Sequence, residues 1–224
     1  MGWRSFLNLP EKALKRSQTP LDLKGAWILL AAGLVFYLTS CFFRIQQTVA
    51  MDDLHWLMAA KQLYRGEALH SFFFPGMVAY SPHLYLQLVH LTFRLLGPYE
   101  WVSRLVGIFS GAVSLLLVFQ LIRFFAQENK KESFRRGALL VFLYATTPAL
   151  IQGAQILDLE PSIMVPLLLF LFWSFIQLQR SLHLKEALVT GLATTLAFSA
   201  KITTPFLISL LLGGYALFRK SALR

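Results

Sequence analysis

Long apolar runs alternate with short basic segments along most of the chain. Ala26–Phe43 and Leu105–Ile122 contain no charged residue, and each is about 18 residues long, near the ~20 needed to cross a ~30 Å hydrocarbon layer. A soluble core helix keeps a polar face, and these runs have none. Spans are predicted near 26–43, 103–125, 137–151, 162–178, 187–200 and 202–218. The fifth is short, and only Lys201 and the Thr203-Thr204-Pro205 break separate it from the sixth. It is expected to tilt or to meet a thinned bilayer. The pattern defines an all-α integral membrane protein with about six transmembrane helices.

Residues 44–102 form the only large loop between predicted spans, and its pattern is that of folded chain. Asp53–Arg65 reads as a helix with Leu54, Leu57, Met58 and Leu63 on one broad face and Gly66 as its stop. Pro75-Gly76 and Ser81-Pro82 are turn signals. His83–Leu96 reads as a second helix, closed by Gly97-Pro98. It is short for a span and carries Gln87, His90 and Arg94, so a position in the interface fits it better. Aromatic residues crowd the loop, as an interfacial belt requires.

Composition agrees with the pattern. The chain is 56% hydrophobic and only 14% charged, against ~25% charged in soluble domains. Its lone cysteine, Cys41, excludes an intramolecular disulfide. Charge then orients the spans. Residues 1–25, 123–136, 179–186 and 219–224 share one side and hold fifteen basic residues against five acidic ones. The other side holds six of each, so the whole net charge of +10 sits on one face. The positive-inside rule makes that face cytoplasmic, with the N-terminus on the cytoplasmic side of a cell membrane. The basic balance is a topology signal, and no nucleic-acid partner is expected. The expected organisation is a basic tail over 1–25, a transmembrane module over 26–218 with its external loop at 44–102, and a cytoplasmic end at 219–224. The tail itself reads equally as an amphipathic anchor or as a solvated segment.

On the outer side, Asp52, Asp53, Asp158, Glu160 and Lys201 all fall at or near span ends. Carboxylates beside a bilayer are costly and mark candidate functional sites. Each also has a plain structural explanation. An aspartate before a helix is a good N-cap, which accounts for one of Asp52 and Asp53. Acids ahead of Pro161 offset a helix dipole, which suits Glu160 better than Asp158. Lys201 reads either as a snorkelling span end or as a cation for a phosphate. The loop histidines His55, His70, His83 and His90 lack metal-ligand spacing, and no metal or cofactor is expected from them. No Gly-rich phosphate loop, nucleophile elbow or Cys/His cluster is present in the sequence.

Several short motifs together resemble a family. Asp52-Asp53 after the first span, with a helix ending at Arg65-Gly66, resembles the Asp-Glu motif opening the first external loop of the GT-C membrane glycosyltransferases. Tyr80-Ser-Pro-His-Leu-Tyr, Leu96-Gly97 and Glu100-Trp-Val-Ser-Arg104-Leu resemble the Tyr/Lys-Pro-Pro-Leu, Phe-Gly and Arg-Leu segments of one branch. That branch holds the protein O-mannosyltransferases and aminoarabinose transferases, the dolichyl-phosphate-mannose-protein mannosyltransferase family. Leu157-Asp158-Leu-Glu160 and Ser199-Ala-Lys201 resemble its second-loop acid and its Ser-x-Lys. Three positions depart from the pattern: Ser81 replaces a lysine, His83 the second proline and Asp53 the glutamate. A phosphate contact is therefore missing or moved to His83.

The resemblance implies transfer of a sugar from a polyprenyl-phosphate donor to an acceptor hydroxyl on a lipid, glycan or protein. It makes Asp52, with Asp53, the general base. Asp158 and Glu160 would orient the acceptor or the base, and Lys201 and Arg104 would steady the leaving phosphate. Tyr80 and His83 would join the substrate site, with the spans forming a groove for the lipid tail. Family members usually carry more spans, so the chain is expected to be an N-terminal portion, a remnant or one part of a split enzyme with a partner chain. Two rivals remain. A transporter or flippase component would place acids near mid-membrane, whereas these stand at span ends. A non-catalytic membrane subunit would tolerate loss of Asp52, Asp53 and Asp158 together.

Overall fold

The computed structural model describes residues 23–43, 45, 51–67, 84–125, 130–155, 163–200 and 203–222, and the side chains of 51–55, 130 and 217–222 are outside that description. The proposed tail anchor therefore lies outside the described residues. All described elements are helical: α1 (Leu23–Phe43), α2 (Met51–Arg65), α3 (Leu84–Leu96), α4 (Glu100–Phe125), α5 (Lys130–Ala145), α6 (Pro148–Gln155), α7 (Val165–Ser181), α8 (Leu184–Ala200) and α9 (Thr203–Ala222). The all-α class holds, and helices cover all six predicted spans. Two of them, α1 and α4, are long and apolar enough to cross a membrane. The α5–α6 pair adds a third if its two arms, bent by 59°, are one span. The apolar stretches of α7 and α9 are shorter, so among the described residues length and composition alone identify two or three spans.

The bend in the third predicted span has a local cause. Pro148 has no N–H to donate, and its ring clashes with a carbonyl one turn back, so a continuous helix cannot pass it. The freed groups are satisfied on the spot. The Thr146 and Thr147 hydroxyls both donate to the Leu143 carbonyl, at 3.0 and 2.9 Å. The Thr147 carbonyl accepts from the Leu150 N–H at 3.1 Å and opens α6.

Both loop helices end where their glycines predict. Gly66 has φ +73°, the Glu67 N–H reaches the Gln62 carbonyl at 2.9 Å and the Gly66 N–H reaches Leu63 at 3.1 Å. That is the paired hydrogen-bond pattern of a Schellman stop. Gly97, at φ +90°, closes α3 with a single bond to the Phe93 carbonyl at 2.8 Å. The buried face of α2 differs from the expected one. Leu57, Ala59 and Ala60 are buried and Leu63 packs against them, while Met58 is 39% exposed. At 3.6 residues per turn, Met58 stands on the opposite side from Ala60.

Helix α4 is central and touches α1, α3, α5, α6 and α7. Small residues make this possible. Ser103, Gly107, Gly111 and Ser114 are all buried on α4, which lets neighbouring backbones approach closely. The tightest approach is at Gly111. The Tyr37 hydroxyl crosses from α1 to donate to the Ile108 carbonyl at 2.9 Å, and a Cβ on Gly111 would lie 1.9 Å from that oxygen. Gly111→Ala is therefore expected to cost about 1–3 kcal/mol through overpacking. A lower midpoint of thermal unfolding in detergent, partly recovered when Tyr37→Phe is added, is the expected result. An unchanged midpoint would show that α1 yields without cost.

Candidate active site

One end of the bundle gathers helix ends that the candidate residues adjoin in sequence. A single apolar cluster there contains Leu57 and Ala60 of α2, Tyr85 and Val89 of α3, and Val102 and Leu105 of α4. Ile163 and Met164, just before α7, and Ala200, the last residue of α8, complete it. Trp56 and Tyr85 stand edge to face at 6.1 Å, and Tyr64 and Phe93 do so at 6.3 Å. Such pairs prefer this T-shaped arrangement because the positive ring edge meets a negative face.

A second tie joins α1 to α6. Gln155, the last residue of α6, is buried, and its Nε2 donates to the Ser40 and Cys41 carbonyls at 3.3 and 3.2 Å. Ile45 packs against both this half of the bundle and the apolar cluster. The chain thus leaves α1, α6 and α8 at the same end of the molecule.

Arg104 is the predicted site residue whose side chain the structure describes. It lies in the first turns of α4, only 3% exposed. Its Nη2 is 3.6 Å from Oε1 of Glu100, one turn earlier, whose side chain is 46% exposed. Arg104 has interactions beyond this pair. A guanidinium is almost never so buried unless paired, because desolvation of its charge is costly. Here one helix turn supplies the counter-charge, and the apolar cluster supplies the cover. Glu100 was overlooked as a site residue, although its i, i+4 spacing to Arg104 was legible.

Asp52 and Asp53 are the second and third residues of α2, inside its first turn rather than at its cap. Tyr80, His83, Asp158, Glu160 and Lys201 lie outside the described residues. In sequence they adjoin the gathered helix ends. His83 precedes Leu84, Glu160 comes three residues before Ile163, Asp158 three residues after Gln155, and Lys201 follows Ala200. Among the described residues no group of three His, Cys, Asp or Glu could hold a metal ion.

A groove of about 340 Å³ opens beside the cluster, between α3, α4 and α7. Leu84, Leu88, Val106, Phe109, Val113 and Leu167 line it, with Thr92 and Ser110 as its polar members. Phe109 and Val113 are exposed on its rim. An apolar groove open to the bundle surface accepts an apolar chain from the side.

These features define a helical membrane protein whose helix ends converge beside an apolar surface groove. Residues 80–224 match the family model described as dolichyl-phosphate-mannose-protein mannosyltransferase. The chain belongs to that family, which makes it a GT-C-type membrane glycosyltransferase. The matched stretch contains Tyr80, His83, Arg104, Asp158, Glu160 and Lys201 and begins after Asp52 and Asp53. No curated protein and no solved structure matches the chain.

Proposed function

We propose that the chain is a glycosyltransferase module, spanning 26–218, that uses a polyprenyl-phosphate sugar at the outer face of a cell membrane. The convergence of α2, α3, α4, α7 and α8 on one apolar cluster carries this reading, because the candidate residues adjoin those helix ends. Asp52, assisted by Asp53, takes the proton from the acceptor hydroxyl as that oxygen bonds to the sugar's anomeric carbon. The bond from that carbon to the phosphate oxygen breaks, and Arg104 and Lys201 stabilise the departing phosphate electrostatically. Asp158 and Glu160 orient the acceptor, while Tyr80 and His83 contact the donor. A carboxylate suits the base role because partial desolvation raises its pKa toward working pH.

The groove between α3, α4 and α7 holds the first isoprene units of the donor. Filling it tests this assignment without touching the reacting groups. Val113→Trp is expected to raise KM for a long-chain donor about tenfold, a change of ~1.4 kcal/mol in binding, with kcat retained. A donor analogue whose phosphate carries no isoprene chain should be used equally well by both forms. Equal KM values for the long-chain donor would remove the groove from the mechanism.

A further inference from the structure

The 59° bend between α5 and α6 holds a second recess, one that the transfer reaction does not use. It lies against the last two turns of α1 and has a volume of about 510 Å³, within the ~300–1,000 Å³ usual for small-molecule sites. Its origin is local. Pro148 prevents α5 from continuing, α6 leaves at an angle, and the elbow stands open beside α1. On α1 the lining positions Phe36, Thr39, Ser40 and Phe43 follow the spacing of one helix face.

The floor of the recess is polar and uncharged. Its polar members are Thr39, Ser40, Thr146 and Gln152, and no charged residue joins them among the described residues. The Thr146 hydroxyl donates to the Leu143 carbonyl and keeps an oxygen that can accept. The Thr39, Ser40 and Gln152 side chains have no hydrogen-bond partner among the described residues. Hydroxyls and a carboxamide each offer donors and acceptors. A sugar hydroxyl matches them in both senses. A phosphate only accepts, and it brings a charge that no described lining residue offsets.

The surroundings select how such a sugar is carried. Phe36 and Phe43 flank the polar floor and are 46% and 87% exposed. Their rings suit the apolar C–H face of a sugar, which leaves water on contact. Exposed apolar tracks then lead away along both helices. On α1, Val35, Ala32 and Ile28 precede Thr39 by four, seven and eleven residues; on α5, Leu143 and Leu139 precede Thr146 by three and seven. These offsets keep each set on the face of its pocket residue, and all five residues are exposed. The two helices stay packed along this length, from Gly33 against Phe142 to Trp27 against Phe134 at 4.9 Å. A soluble sugar gains nothing from the tracks. A lipid that carries a sugar does, because its acyl chains cover them while its headgroup sits in the recess.

We propose that the recess formed by Phe36, Thr39, Ser40, Phe43, Thr146 and Gln152 binds the uncharged sugar headgroup of a membrane glycolipid. The inference rests on the membrane reading of the helices and is independent of the transferase assignment. The recess shares no residue with the groove between α3, α4 and α7, so occupancy of one leaves the other open.

The test is native mass spectrometry of the full chain in a detergent without sugar, lauryldimethylamine oxide. The chain is titrated with monoglucosyl diacylglycerol, diacylglycerol or phosphatidic acid of the same acyl chains. The glucolipid is expected to bind about tenfold more tightly than either, or ~1.4 kcal/mol, the scale of one or two net hydrogen bonds. Thr39→Val/Ser40→Ala removes two hydroxyls and little volume. It should abolish most of that preference and leave diacylglycerol binding unchanged. Gln152→Leu, on an exposed position of α6, leaves α1 intact and should by itself lower glucolipid affinity about threefold. Equal binding of diacylglycerol would reduce the recess to an apolar groove, and equal binding of phosphatidic acid would remove its selection against charge. Either result overturns the site, as does an unchanged preference in either variant. Displacement of the glucolipid by millimolar glucose would show a soluble-sugar site and overturn the lipid assignment.

Discussion

Replacing Asp52 by Asn is expected to lower sugar transfer by about 10²–10⁴-fold, the range over which a positioned general base accelerates proton removal. The substitution keeps the shape of the side chain and an oxygen that can accept a hydrogen bond in the first turn of α2. It removes the basicity. A helix-terminal role therefore survives the change, whereas a proton-transfer role does not. The measurement is the rate at which membranes containing the native protein consume a polyprenyl-phosphate sugar, alongside a topology assay for insertion. Asp53→Asn should cost less, since the proposed mechanism has Asp53 assist while Asp52 accepts the proton. If Asp52→Asn turns over at the native rate, the carboxylate is a helix-start residue and the base must be sought elsewhere. If Asp53→Asn is the more damaging change, the two roles are exchanged.

Arg104→Met is expected to reduce transfer by about 10²–10³-fold, the usual loss when one preorganised group facing developing charge is removed. Its effect on the fold should be small. Arg104 is the buried member of its pair and Glu100 is about half exposed, so methionine fills the buried volume and water solvates the carboxylate left behind. Replacing a buried ion with an apolar side chain of similar size is often neutral or stabilising. Glu100→Gln tests the reverse case. It removes the counter-charge at 3.6 Å from the buried guanidinium and should destabilise more than Arg104→Met. Together the two variants separate function from packing. Loss of folding in Arg104→Met, with transfer per folded molecule unchanged, would make Arg104 a structural residue only.

Much of the architecture was legible because it depends on neighbours within one or two turns. The uncharged runs of α1 and α4, the stops at Gly66 and Gly97, and the helix starting next to His83 all appear at or within a few residues of their predicted places. Each follows from a local property: hydropathy over one membrane thickness, or a glycine that alone takes positive φ without cost. The bend at Thr147-Pro148 was equally local and was still passed over, since an apolar run was read as one span despite its proline. The buried side of α2 was misjudged at Met58 because two broad faces fit its sequence and packing chose between them.

For the candidate site, the residue types and their order along the chain pointed to carboxylates, a lysine and an arginine near span ends. Charge counting added that they share a side. Neither could establish which helix ends touch. That depended on Gln155 reaching the end of α1, on Tyr37 crossing to α4 at Gly111, and on Ala200 meeting Val102 and Ile163 in one cluster. Such contacts join residues up to a hundred or more positions apart. Hydropathy and turn chemistry are short-range and are written in neighbouring residues. Burial is a property of the assembled helices, and it sinks Arg104 into the core while leaving Arg123 and Arg180 on the surface of the other end.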